Sequence, residues 1–272
     1  MPLIKFDDYS IHYRVEGFGP DVLMIHGWAS SHRMWERCLK RLALSGFRAW
    51  ALDLPGCGES DSCAAASTWY SVANLTSAVE TFIKHVGIRS VSLIGHSMGG
   101  AIALELGRRR PELTGVLVLV APVVSGRLGV LHALLDYPFW RRLLSLSRQH
   151  TALALWGQRT LLGASELIRD PALRRDVEDL AHTTPEAFIG GLSAVLDFDF
   201  TDRLRAIRAP TLVVVGTRDM TLPSSESELA ASQIPGAQLV KMRGVGHQPV
   251  DERPEEFDRL LVEFLQDHRV KP

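Results

Sequence analysis

The chain has 272 residues, 46% of them hydrophobic and 22% charged, and 30 Lys+Arg against 31 Asp+Glu leave a formal charge of -1. That balance excludes a global electrostatic pull toward nucleic acid or an anionic membrane, and the length suits one large α/β domain or a domain with a modest insertion. The longest strongly apolar run, Val116 to Val124, is far short of the ~20 residues of a membrane helix. The N-terminal MPLIKFDDYS has no apolar h-region of a secretory signal, so a cytoplasmic setting is expected. Cys38, Cys57 and Cys63 are an odd set without CxxC spacing, which fits reduced thiols better than a disulfide framework.

Taken in chain order, LIKFDDYSIHYRVEG alternates and reads as an antiparallel hairpin at a sheet edge. The run DVLMIHG follows, then a helical stretch SHRMWERCLKRLALSG closed by Gly46, then the more mixed FRAWALDLPG. A second helical stretch, SVANLTSAVETFIKHVG, leads to VSLIGHS, and GGAIALELGRRRPEL is a third, stopped by Pro111. After GVLVLVAPV the strand signals cease until PTLVVVG and AQLVKMRG, and PEEFDRLLVEFLQDH closes the chain as a helix opened by Pro254 and two acids. Near-continuous Val/Leu/Ile runs alternating with helices predict a mostly parallel sheet covered on both faces.

Residues 125–200 have no clear buried strand and carry long helical patterns, including PALRRDVEDLAHTTPEAFIGGL. The expected organisation is a core of 1–124 and 201–272 with a helical cap over 125–200. From Arg127 to Gly163 there are five arginines, no lysine and one acid, Asp136, for a net of +4. This stretch is either a solvated basic face of an amphipathic cap or a docking face for an acidic partner.

In Gly95-His96-Ser97-Met98-Gly99 one serine sits between glycines, after a buried run and before a helix. A turn that tight would project the Ser97 hydroxyl above the C-terminal sheet edge, where the following helix aims free N–H groups. A serine nucleophile needs a base, and the base needs an orienting acid. His247 lies just past the last strand, in MRGVGHQP, and Asp219 lies three residues past Gly216. Asp197, Asp199 and Asp202 precede that strand and read as loop or cap acids. The oxyanion donors expected are the main-chain N–H groups of Met98 and Trp28, whose side chains would line the acyl pocket. His26 reads as shaping its loop, and DLPGCGES lacks the GK[ST] and GxGxxG spacings, so it reads as a structural turn. No HExxH, CxxC pair or EF-hand spacing is present, so no metal is expected from motifs.

With HGW, DLPGCGES, GHSMGG, GTRD and GVGHQP in order, the chain from Asp21 onward resembles the α/β-hydrolase superfamily. That resemblance implies an eight-stranded sheet, a lid-covered pocket, no cofactor and a serine esterase. IHGW, DLPGCGES and GVGHQPVDERPEEF look like the carboxylesterases that cleave pimeloyl-acyl-carrier-protein methyl ester in biotin synthesis. The subfamily reads its acidic carrier protein with cap arginines, which would put Arg141, Arg142, Arg148 and Arg159 at the docking face. General esterases, C–C bond hydrolases, lactonases and cofactor-free peroxidases share similar motifs and stand as alternatives, as does a non-catalytic ligand-binding member of the fold, against which the intact Ser/His/Asp set argues.

Overall fold

Period-2 alternation at the start folds into a hairpin of β1 (Leu3–Lys5) and β2 (Ser10–Glu16), paired antiparallel with Ile4 opposite Ile11. It sits at the edge of an eight-stranded sheet in a computed structural model that describes residues 2–63, 67–128 and 165–269. The remaining strands are β3 (Asp21–Ile25), β4 (Arg48–Leu52), β5 (Val91–His96), β6 (Thr114–Val120), β7 (Thr211–Gly216) and β8 (Gln238–Met242). Their order is β1-β2-β4-β3-β5-β6-β7-β8, with β2 antiparallel to β4 and every later pair parallel. The α/β-hydrolase fold, with its mostly parallel eight-stranded sheet and flanking helices, is therefore present as expected.

Successive residues of the central strands feed opposite layers. Leu23, Ile25, Leu93, Leu117, Leu119 and Val213 pack on one face with α2 (Val72–His85) and α3 (Met98–Arg109). Val22, Met24, Ile94, Val116, Val118 and Val214 pack on the other with α1 (Glu36–Leu44) and α7 (Pro254–Asp267). Because β-strand side chains alternate faces, only strands covered on both sides read as unbroken apolar runs. Between α3 and α7 the described residues carry α4 (Pro171–His182), α5 (Pro185–Leu196), α6 (Ser224–Gln233) and a single helical turn, Pro249–Glu252. No helix among the described residues is long and apolar enough to cross a membrane.

Two helical readings divide where the sequence pattern ran on. The stretch 31–46 begins as a 3-10 turn, His32–Trp35, before α1 starts at Glu36. The pattern over 171–196 breaks into α4 and α5 at Thr183 and Thr184, both extended, with the Thr184 hydroxyl accepting from the Ala187 N–H at 3.3 Å. Pro185 disfavours helical backbone at the residue before it, so Thr184 becomes a cap instead of a continuation.

DLPGCGES is a structural turn, built on the buried Asp53. Its carboxylate accepts from His12 Nδ1 (2.9 Å), His32 Nδ1 (2.9 Å), the His32 main-chain N–H (2.6 Å) and that of Glu59 (3.0 Å). A Cβ at Gly58 would lie 2.4 Å from Asp53 Cγ, so the turn admits no side chain there.

Candidate active site

The chain leaves β3 for β4 on one side and leaves β5 for β6 on the other, so the β3–β5 boundary is a topological switch point of the sheet. Ligand sites of open α/β sheets form at such a point. Ser97 caps α3 there with φ 53° and ψ -115°, a backbone conformation rare for a residue with a side chain. The turn is held because the Ser97 N–H donates to Val120 O (2.9 Å) and the Ser97 carbonyl accepts from Gly100, Ala101 and Val123. Glycine is required on both sides. A Cβ at Gly95 would lie 2.2 Å from Gly99 O, and one at Gly99 would lie 2.3 Å from Ile25 O. These approaches bring the N-terminus of α3 onto the end of β3.

The loop after β3 passes the same serine. A Cβ on Gly27 would come within 3.3 Å of Ser97 Cβ, and Ala29, one residue past Trp28, also has a positive φ of 51°. His26 holds this loop: its Nδ1–H donates to Gly27 O (2.7 Å), and its Nε2 accepts from the Leu54 N–H (2.9 Å). Burial pushes the His26 imidazole below its ordinary value, consistent with a neutral ring that accepts at Nε2. The shaping role expected for His26 thus has a physical form.

Trp28 and Met98 both lie against Gly191 of α5. A Cβ on Gly191 would lie 2.8 Å from Trp28 Cδ1 and 3.7 Å from Met98 Sδ. The Trp28 indole N–H donates to Phe188 O (2.8 Å), and the Trp28 and Phe188 rings lie 4.7 Å apart.

Asp219 and His247 follow β7 and β8, the last two strands. His247 Nδ1 donates to Asp219 Oδ2 at 2.7 Å, and Asp219 Oδ1 accepts from the Thr221 (2.8 Å) and Leu222 (2.9 Å) N–H groups. Burial alone would raise the Asp219 carboxyl, but the bonds and charge from His247 and the two amide donors outweigh it and hold it below its ordinary value. An ionised Asp219 accepts only, so the proton of this bond lies on His247 Nδ1. The rival acids stay elsewhere: Asp197 caps the C-terminus of α5, and Asp199 accepts from the Thr201 N–H.

Three supporting groups were not singled out from the sequence. His96 Nε2–H donates to the His247 carbonyl (2.9 Å), and the two rings lie 4.8 Å apart. The Glu252 carboxylate accepts from Gly246 (2.7 Å) and Gln248 (3.2 Å), the residues on either side of His247. Arg175 of α4 holds Asp251 with two bonds, 3.0 and 2.9 Å, and Gln248 donates to Asp176 (2.7 Å). His96 was visible as a strand-end histidine. Glu252 and Arg175 carry no signal beyond being charged residues among many.

The chain matches the description "Alpha/beta hydrolase family" over residues 22–260. It belongs to the α/β-hydrolase family. The hydrolase is 30% identical over 252 residues to a pimeloyl-[acyl-carrier protein] methyl ester esterase of Nitrosomonas europaea, covering 91% of this chain and 96% of that protein. It is 29% identical to a 2-hydroxy-6-oxo-6-phenylhexa-2,4-dienoate hydrolase of Comamonas testosteroni, covering 95% and 92%. A solved hydrolase of Pseudomonas aeruginosa superposes with a TM-score of 0.80 at 26% identity over 97% of each chain. Relatives and solved neighbours of this kind are hydrolases and esterases. Arg141, Arg142, Arg148 and Arg159 lie outside the described residues.

Proposed function

We propose that Ser97, His247 and Asp219 form the catalytic triad of a serine carboxylesterase. The observation that carries this reading is the 2.7 Å bond from His247 Nδ1 to Asp219 Oδ2, which leaves the other ring nitrogen as the base. In this reading His247 Nε2 takes the Ser97 proton as Oγ attacks the ester carbonyl, and Asp219 stabilises the imidazolium. The Met98 and Trp28 main-chain N–H groups receive the oxyanion, Met98 from the first turn of α3 and Trp28 from the loop that Gly27 brings beside Ser97. Collapse of the tetrahedral intermediate, with the His247 proton passing to the leaving oxygen, releases the alcohol and leaves an acyl-serine. Water deprotonated by His247 then frees the acid.

Ser97→Ala is expected to fold normally and to lose nearly all turnover of a short-chain p-nitrophenyl ester. Unchanged turnover overturns the assignment, and failure of a fluorophosphonate to label wild-type protein at Ser97 would favour a non-catalytic member.

The substrate we infer is an acyl-carrier-linked methyl ester of the pimeloyl type, in a cytoplasmic setting. Similarity to the N. europaea esterase over nearly the whole of both chains supports it. The cap over 125–200 would select the acyl group, and Arg141, Arg142, Arg148 and Arg159 would dock the acidic carrier. Charge reversal at Arg141 and Arg142 is expected to slow hydrolysis of the carrier-bound ester while sparing small esters; equal loss on both counts against docking. A second reading, C–C bond hydrolysis on the same triad, is supported by the likeness to the C. testosteroni hydrolase. A panel containing a vinylogous 1,5-diketone acid and matched methyl esters separates the two.

A further inference from the structure

The Asp53 cluster shares no residue with Ser97, His247 and Asp219, and it gathers histidines around one carboxylate. Asp53 engages Nδ1 of both His12 and His32, at 2.9 Å each. Asp53 thus occupies the Nδ1 side of each ring, and Nε2 is the nitrogen each ring has left to offer a ligand. Metal-binding histidines are held in this way, by a carboxylate behind the nitrogen that does not bind. Among the described residues, His12, His32 and Glu59 each bring one ligand atom within 4.8 Å of the other two.

A second observation points to a missing partner. His12 is only 1% exposed, and its Nε2 has no hydrogen-bond partner among the described residues. A buried nitrogen left unpaired carries an uncompensated desolvation cost. Glu59 Oε2 is 3.8 Å from that nitrogen, too far for a hydrogen bond and close to the spacing of two ligands on one ion. Zn–N and Zn–O bonds of about 2.0–2.2 Å put neighbouring ligands of a tetrahedral site about 3.3–3.5 Å apart. Because the Glu59 side chain is 54% exposed, it can rotate to close the gap while the two histidines stay fixed.

We propose that His12, His32 and Glu59 form a site for a divalent cation of the zinc type. Two imidazoles and one carboxylate favour zinc, cobalt or nickel over calcium or magnesium, which take mainly oxygen ligands. The ion enters from the Glu59 side, where solvent supplies the fourth ligand. It ties together strand β2, the 3-10 turn after the β3 loop and the turn after β4. The site is a structural staple of the sheet edge, independent of ester hydrolysis.

The test uses untagged, chelator-treated full-length protein titrated with zinc chloride, with binding read by calorimetry and stability by thermal unfolding. Wild type is expected to take up one zinc per chain, with Tm raised by about 5–10 °C at a hundredfold excess over Kd. Glu59→Gln, a change at an exposed side chain, is expected to weaken binding at least about tenfold and to abolish most of the Tm rise. His32→Gln is expected to weaken it further, and His247→Ala to bind as wild type does. Cobalt in place of zinc should give a visible spectrum of a four-coordinate site, which Glu59→Gln removes. No uptake by wild type, uptake unaffected by Glu59→Gln and His32→Gln, or uptake lost in His247→Ala would each overturn the proposal.

Discussion

His96, the residue before Ser97, donates its Nε2–H to the main-chain oxygen of His247 at 2.9 Å. One end of β5 therefore holds both Ser97 and the backbone of the loop that carries His247. This contact fixes the spacing of the two groups through main chain, leaving the His247 ring free to be set by Asp219. A neutral His96 has its bare nitrogen at Nδ1, which has no partner among the described residues and faces Gly27, where a Cβ would lie 3.0 Å away.

Burial, aided by the charge of His247, pushes His96 down to about 3 from the usual 6.5. The unfolded chain protonates this ring below about pH 6.5 and the folded chain does not, so stability falls as pH drops from about 6.5 toward 3. By pH 5 the loss attributable to His96 is on the order of 1–2 kcal/mol. Urea unfolding at pH 7 and pH 5 should show a smaller loss in His96→Gln than in wild type. Equal losses would remove His96 from the account.

Asp219→Asn keeps the shape of the acid and reverses its hydrogen-bond demand. An amide NH2 facing His247 favours the tautomer with its proton on Nε2, the wrong nitrogen for a base. The expected result is a fall of about 10³–10⁴ in kcat with little change in KM. A loss below tenfold would mean that another acid orients His247.

Arg175 joins α4 to the residues following His247 through its two bonds to Asp251 and one to Gln248. Its guanidinium is mostly buried, with 12% of the side chain exposed. Arg175→Met leaves Asp176 and Asp251 facing each other without a cation, and a loss of about 2–4 kcal/mol in chemical unfolding is expected. Arg175→Lys should recover only part of this, because an ammonium cannot reproduce the two-pronged contact. A double-mutant cycle with Asp251→Asn should return a coupling of about 1–3 kcal/mol.

All three cysteines are free and buried. Burial, with the Asp53 charge nearby, pushes the Cys57 thiol up to about 12. Almost no thiolate exists there at neutral pH, so a maleimide should leave Cys57 unmodified in folded protein and modify it in urea. Peptide mass mapping after each treatment reads this directly.

The sheet was legible because its central strands are buried on both faces and so read as apolar runs. Ser97, Asp219 and His247 could be singled out because each follows a strand at the same sheet edge and their order along the chain is meaningful. The break at Thr184-Pro185 was also written in the sequence, as a capping residue before a proline, but the apolar pattern ran through it and masked the stop. His96 and His247 are 151 residues apart, and that contact follows from how β5 lies beside the last loop. The same holds for His12, His32 and Glu59, which sit on three separate segments with no ligand spacing to detect. Charge pairs such as Arg175 with Asp251 are equally silent, since arginines and acids are abundant throughout the chain.

The positive φ at Ser97 has an evolutionary consequence. A non-glycine residue held in such a conformation costs on the order of 1–3 kcal/mol, and glycine at that position relieves the cost while removing the hydroxyl. Ser97→Gly should therefore be more stable than both wild type and Ser97→Ala in the same unfolding assay. Selection for robustness alone would drift this position toward glycine, so a lineage that keeps serine there does so against its own stability.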